Sequence, residues 1–390
     1  MPTSSDAPPP ELLNNDPNGF AWGVWHDRTP KLVQQIRNAH PYGPDQRQAL
    51  DDLLEEISAG LMTPLPPDVH DHELWTDWGA DYFGKPWLDA PFLGSEAYFY
   101  RRLLKAVDYF TPGPWQGVDP FDHLKTAELR DPTLEVDLST LNDLQQLHPE
   151  EAGQAKLLAS LWGNRADLGF RIGKTAASAE PQTENLVADD SELVWDLLSP
   201  TAEVTVVVDN AGRELLADLV FIDHLLQHDL AAAITLHLKP CPYYVSDATT
   251  NDFVACLRRL AETPGTASEI SRRLWNAVGD GDLRLYTHSF YSAPWSYHHL
   301  PTDLVAELKN SSLTIMKGDL NYRRLVGDRA WPPVSNFADL TSYFPGAVAA
   351  FRTLKSDVAV GITPAMLITL EQMAPSWRTD GSYGLIQART

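Results

Sequence analysis

Val204-Thr205-Val206-Val207-Val208-Asp209-Asn210-Ala211-Gly212-Arg213-Glu214 is a β-branched run that stops abruptly at two oxygen-bearing side chains. Such a run, without polar alternation, fits a strand buried on both faces, as in a parallel sheet. The end of that strand faces a crevice, because open α/β sheets bind ligands just beyond the carboxyl ends of their strands. Asp209 and Asn210 therefore stand where a hard cation or a phosphate would be held. The pattern recurs. A second apolar run, 233–238, leads through Lys239-Pro240-Cys241-Pro242 and Tyr243-Tyr244-Val245 into Ser246-Asp247. A third, Leu313-Thr314-Ile315-Met316, empties into Lys317-Gly318-Asp319-Leu320-Asn321-Tyr322-Arg323-Arg324.

Each piece taken singly has a purely structural explanation. Asp and Asn at a strand-to-helix junction serve in turns and N-caps, where their side chains bond nearby backbone N–H groups. Ser246-Asp247 precedes a helical stretch and reads as its cap; Lys317-Gly318-Asp319 reads as a loop. Caps do not demand a lysine and an arginine beside the carboxylates, however, and the clusters fall at equivalent topological places. Together they favour a site.

Outward from these runs, the second half alternates strands with helices: helices over 212–227, 251–261, 268–278 and 302–309, and a further strand over 283–286. That alternation predicts a doubly wound sheet. Before about residue 200 the periodicity is helical. Thr29 reads as an N-cap with Pro30 at the first helical position and Leu32, Val33 and Ile36 on one face. Helices are also expected over 96–110 and 149–170. The stretch 174–190, rich in Ala, Ser, Thr, Glu and Pro, reads as a linker or surface loop. The expected organisation is a disordered tail over 1–12, a mainly helical domain over 13–190, and a Rossmann-like three-layer α/β/α domain with a mostly parallel sheet over 191–390 that carries the chemistry. No internal repeat is visible.

Composition narrows the functions. A chain of 390 residues with 12 Trp and 43% hydrophobic residues is long enough for two domains. Its formal charge of −23 argues against a nucleic-acid partner, since neutralising a phosphate backbone needs a basic surface. The two cysteines, Cys241 and Cys256, lack zinc spacing and suit a reducing cytosol. No stretch approaches the roughly 18 apolar residues of a membrane span, so no membrane partner and a cytoplasmic location are expected. Nothing in the sequence sets the oligomeric state.

The same residues carry a resemblance. Asp-Asn-Ala-Gly-x-Glu after a buried strand, Lys-x-x-Pro-x-x-Val-Ser-Asp and Lys-Gly-Asp-Leu-Asn-Tyr-Arg-Arg-Leu are similar to motifs of the metal-dependent damage-control phosphatases, within the sugar-phosphate branch also described as protein-glutamate O-methyltransferases. That branch has an Arg-Thr-x-Lys signature, matched here by Arg28-Thr29-Pro30-Lys31, and the likeness extends through Glu96-Ala97-Tyr98-Phe99-Tyr100-Arg101-Arg102, Leu354-Lys355-Ser356-Asp357 and the tail to Gln387. Asp209, Asn210 and Asp247 are hard oxygen donors, which suit Mn²⁺ or Mg²⁺, with Co²⁺ or Ni²⁺ as alternatives, far better than Zn²⁺; the resemblance points to the same three as metal ligands. Around such an ion, phosphoryl transfer needs cations, and Lys317, Arg323, Lys355, Arg28 and Lys31 are the candidates, the last two at the start of a helix. The resemblance implies that Glu214 and the run Asp319-Leu320-Asn321-Tyr322-Arg323 contact substrate. Asp209, Asp247 and Asp319 are the catalytic candidates, and the sequence leaves open whether Asp247 or Asp319 aligns the attacking water.

The implied activity is hydrolysis of small phosphorylated metabolites, ketose phosphates such as fructose 1-phosphate and fructose 6-phosphate first among them. The runner-up, S-adenosylmethionine-dependent methylation of protein glutamates, rests on the resemblance alone, because the nearest glycine-rich turn, Gly279-Asp280-Gly281-Asp282, precedes a strand instead of following one. A covalent aspartyl-phosphate route would want an acid two residues after the nucleophile, where Ala211 stands. A non-catalytic module binding phosphate ligands is the third reading.

Overall fold

A computed structural model describes residues 7–163 and 185–390. Its centre is a seven-stranded sheet of β1 (Leu186–Asp189), β2 (Glu203–Val207), β3 (Ala233–Leu238), β4 (Leu283–Thr287), β5 (Leu313–Lys317), β6 (Val348–Thr353) and β7 (Gly384–Arg389), in the order β1-β7-β6-β5-β2-β3-β4. All neighbours are parallel except β6 and β7. The expected α/β class and parallel sheet are present. In β2, Val204 and Val206 join the core on one face while Val207 joins the core on the other, as a strand without polar alternation requires.

One face is covered by the helices Pro149–Trp162, Arg213–Gln227, Thr250–Glu262 and Thr266–Asp280, the other by Thr302–Lys309 and Gly318–Val326. A third cluster, built on Trp25, Trp75, Trp87, Tyr98 and Phe99, fills the N-terminal helices Thr29–Ala39, Pro44–Ala59 and Phe92–Ala106 and takes in Tyr243 from the loop after β3 and Leu320 from the helix after β5. That shared packing seats the helical layer on the carboxyl edge of the sheet. Among the described residues no helix is long and apolar enough to cross a membrane.

Several local expectations change. Thr29 is not an N-cap: it has helical backbone angles, its hydroxyl donates to Val24 O at 3.0 Å, and the preceding turn Val24–Arg28 is a π-helix continuing Phe20–Gly23. The wider turn accommodates Pro30, which lacks an N–H and crowds the carbonyl four residues back. Arg28 and Lys31 thus sit inside a longer helical segment, with no open helix N-terminus beside them. The stretch 174–190 contains the edge strand β1, and Lys174 up to residue 184 lies outside the described residues, as does the part of the 149–170 helix beyond Gly163. Helix Pro149–Trp162 packs with the sheet because its small face, with Ala152, Ala155 and Ala159, allows close approach to Arg213–Gln227. Of the tail expected over 1–12, residues 1–6 lie outside the described residues. From Pro10 onward it is laid down as a strap, with Ala330 N–H donating to Pro10 O at 3.0 Å, Leu12 N–H to Asp328 O at 3.2 Å and Phe92 N–H to Leu12 O at 2.8 Å. Those backbone bonds hold a segment whose composition alone would leave it loose.

Candidate active site

The order in which strands are added reverses at the parallel pair β2 and β5: β3 and β4 lie to one side of β2, and β5 and β6 to the other. This is the switch point where a doubly wound sheet opens a crevice. Beyond β2 the backbone of Asp209, Asn210 and Ala211 runs against the loop after β3. Ala211 N–H donates to Ser246 O at 2.6 Å, Ala248 N–H donates to Asp209 O at 2.8 Å, and Asn210 and Asp247 form an isolated antiparallel bridge. The cap explanations fail here, because the next helices are capped elsewhere. Gly212 is the N-cap of Arg213–Gln227, and Thr249 with Asp252 forms the capping box of Thr250–Glu262. Asp209, Asn210 and Asp247 are therefore brought together without a capping duty.

On the β5 side the contact is tighter. Gly318 has φ +80°, and a Cβ there would lie 1.9 Å from Asp209 Oδ2. Only glycine lets the start of helix Gly318–Val326 come this close to the carboxylate.

The resulting cleft, of about 750 Å³, is lined by Arg28, Lys31, Asp209, Asn210, Asp247, Asp319, Leu320, Arg323 and Lys355 of the expected residues. Glu214 lies beside it in a smaller void shared with Asn210, Asp319 and Lys355. Asn210 Nδ2 donates to Glu214 Oε2 at 2.9 Å and to Asp209 Oδ2 at 3.2 Å. Asp209 is 4% exposed, and its Oδ1 has no hydrogen-bond partner among the described residues. Burial, reinforced by repulsion from Glu214 and Asp247, pushes its carboxyl well above the usual range, with Lys239 opposing. A crowd of carboxylates around an orphaned oxygen is what a divalent cation would neutralise, and two carboxylates with an amide oxygen are hard donors. The residues fit such an ion. Among the described residues no group of three or more His, Cys, Asp or Glu is arranged to hold a metal, and the amide oxygen of Asn210, the third donor expected from the sequence, accepts from Ser246 Oγ at 2.5 Å.

Asp319 is held differently. Arg352 reaches its Oδ1 with Nε at 2.8 Å and Nη2 at 2.7 Å, and Ser356 Oγ donates at 3.0 Å. Burial alone would raise its carboxyl, but Arg352 and Arg323 hold it below the usual range. Arg323 is itself fixed by Asp328, Nε and Nη2 at 2.8 and 2.7 Å, with Glu96 Oε2 3.6 Å away.

Three expected residues face away from the cleft. Lys317 is buried beneath the sheet edge, its Nζ 3.0 Å from Asp218 Oδ1 and donating to Ser160 O, because the last residue of β5 points into the helix layer. Asn321 donates to Val208 O at 3.1 Å and Lys317 O at 2.8 Å, tying the end of β2 to the helix after β5. Tyr322 donates to Gln387 Oε1 at 2.9 Å on the far side. The helical period explains this: of the run 319–323, one face looks into the cleft and the other into the core.

Sequence reasoning also passed over residues. Glu96 and Tyr100 line the cleft from helix Phe92–Ala106. Lys239 is buried with its Nζ 3.7 Å from Asp247 Oδ2, and Lys125 Nζ donates to Asp247 O at 2.8 Å. A signal existed for the first: a lone carboxylate in an aromatic helical run. There was one for Lys239 too, which heads the Lys-x-x-Pro stretch. The Arg-Thr-x-Lys spacing also occurs a second time, at Arg352-Thr353-Leu354-Lys355. This copy ends β6, grips Asp319 through Arg352 and puts Lys355 on the cleft.

A family model described as the damage-control phosphatase ARMT1-like domain matches residues 24–367. The chain is 30% identical to a frog protein named Damage-control phosphatase ARMT1, from Xenopus tropicalis, over 98% of this chain and 99% of that one. It is 29% identical to the rat protein of the same name, over 97% and 98% respectively. A solved DUF89 family protein of Pyrococcus horikoshii superposes with a TM-score of 0.49 at 12% identity, covering 95% of this chain and 99% of that one. By the match of the family model across most of its length, this chain belongs to the ARMT1-like damage-control phosphatases.

Proposed function

We propose that the chain hydrolyses small sugar phosphates, ketose phosphates such as fructose 1-phosphate and fructose 6-phosphate above all, using a divalent ion, Mn²⁺ or Mg²⁺ with Co²⁺ or Ni²⁺ as alternatives, held by Asp209, Asn210 and Asp247. The observation that carries this reading is the convergence of those three oxygen donors with Arg28, Lys31, Arg323 and Lys355 on one cleft. In a chain of net charge −23, cations gathered opposite carboxylates suit a phosphate dianion bridging ion and protein. The ion, when bound, supplies Lewis-acid polarisation of the phosphoryl group. Arg323 is pre-aligned by Asp328 to stabilise charge on the transferring group, and Lys355, Arg28 and Lys31 neutralise what remains. Glu96, Glu214 and Asp319 offer acceptors to sugar hydroxyls. Of the two bases left open by the sequence, Asp319 is the poorer, since a carboxylate locked by Arg352 and held below its usual range takes a proton weakly. It suits orienting the water or a hydroxyl. Glycation-prone sugars fit a clean-up role, and the free thiols of Cys241 and Cys256 suit the cytosol.

The test is a phosphate-release screen over sugar phosphates and nucleotides with Mn²⁺, Mg²⁺, Co²⁺ and Ni²⁺, run beside an assay for methyl transfer from S-adenosylmethionine. The expected result is metal-dependent release from ketose phosphates. Methyl transfer without phosphate release would instead favour the methyltransferase reading, and ligand binding with neither activity a binding module.

A further inference from the structure

Away from the cleft, a cavity of about 370 Å³ opens among the helices Pro149–Trp162, Arg213–Gln227 and Thr266–Asp280. Its polar lining consists of Gln145, Lys156, Gln227, His228, Thr266 and Arg273, the rest is leucine, isoleucine, proline and alanine, and no carboxylate is among the lining residues. Of the three basic residues in this wall, Arg273 is paired with Asp223 and lies near Glu269, and burial and the Lys156 charge push His228 down, which leaves Lys156 as the cation that no acid in the described lining balances.

Lys156 is the unusual member. It is 9% exposed, and among the described residues its Nζ has no carboxylate within ion-pair distance; it bonds His224 Nδ1 at 3.4 Å. Burial and the Lys156 charge push His224 down to about 3, so its neutral ring accepts from the ammonium. Asp223, which also acts on Lys156, is engaged by Arg273, whose Nε and Nη2 each lie 2.7 Å from one of its oxygens. A buried ammonium without a counter-ion is costly, and an entering anion would relieve that cost. Two long helices begin beside this space, at Pro149 and Thr266, although Glu150, Glu151 and Glu269 stand in their first turns and the Thr266 N–H and hydroxyl donate to Asn142 Oδ1 at 3.0 and 2.9 Å.

We propose that this cavity is a second binding site, separate from the cleft, for a small amphipathic anion: one oxyanion head, phosphate ester or carboxylate, on an apolar body about the size of a benzene ring. The head meets Lys156, with His228 and Arg273, whose Nη1 lies 3.8 Å from Glu269 Oε2, at its side, and the body lies against the aliphatic wall. Cavities of this scale hold such ligands, with a few polar groups fixing orientation.

The test uses full-length protein stripped of metal with chelator and carrying D209A, so that failure of the phosphatase reading leaves the result intact. Calorimetric titration with inorganic phosphate, phenyl phosphate and benzoate should show one site per chain for phenyl phosphate, tighter than for inorganic phosphate. Adding K156M should weaken that site by about tenfold or more, the scale of one lost charge-assisted contact. Gln227 is exposed at the mouth, so Q227E brings a negative charge to the site without disturbing the fold and should weaken it severalfold. Benzoate binding at the same site assigns carboxylates as ligands, and its failure assigns phosphate esters. No phenyl phosphate binding to D209A, or undiminished binding in both K156M and Q227E, overturns the proposal.

Discussion

At Gly318 the site depends on a missing atom. With φ +80° and Asp209 Oδ2 1.9 Å from where a Cβ would stand, Gly318→Ala must either move the carboxylate or strain the helix start. The expected outcome is a loss of roughly 1–3 kcal/mol in stability by denaturant titration, together with a larger loss of turnover. Glu96 gives a prediction in pH. Burial, only partly offset by Arg323, raises its carboxyl to about 7 from an ordinary 4.5. Below 4.5 the group is protonated in both folded and unfolded chains; as pH rises the unfolded chain ionises first, so the folded state loses stability until about 7. Metal-free protein should therefore lose on the order of 3 kcal/mol between pH 4.5 and 8 relative to E96Q, which lacks the proton. Parallel stability curves for parent and E96Q would contradict this. Gly318 reads as a loop glycine in the sequence, and although Glu96 is marked as a lone carboxylate in an aromatic helical run, its partner Arg323, 3.6 Å away, lies far along the chain.

Elements set which side chains of a legible motif reach the cleft. Lys317 and Arg323 belong to one run, yet β5 turns Lys317 into the helix layer against Asp218 while the following helix turns Arg323 outward to the cleft. Lys317→Met should accordingly strand Asp218 in the core and cost roughly 3 kcal/mol or more of folding stability, measured by chemical unfolding. Lys355→Met should leave stability nearly unchanged and raise KM for a sugar phosphate. The same distinction explains what could be read. Strands β2, β3 and β5 stand out because β-branched and apolar residues dominate them up to a polar stop. β6 hides, since Val-Ala-Ala-Phe-Arg-Thr mixes small residues with a buried arginine whose reason is Asp319, and β1 lies in a stretch whose composition is that of a linker. Helical phase likewise separates Asp319 and Arg323 from Asn321 and Tyr322, a separation visible only once the helix start is fixed at Gly318.

Across the whole molecule, the cleft exists because an aromatic-rich helical layer is packed onto the carboxyl edge of the sheet, bringing Arg28, Lys31 and Glu96 to face donors some hundred residues or more away in sequence. The proposed function turns on a divalent ion bound between those layers. The most direct test is equilibrium Mn²⁺ binding to metal-free protein by calorimetry, on the parent, D209A and D247A, with circular dichroism confirming the folds. The account predicts one site per chain in the parent and its loss, or a weakening of about a hundredfold, in each variant. Mn²⁺ binding that is equally tight in all three folded proteins would contradict it.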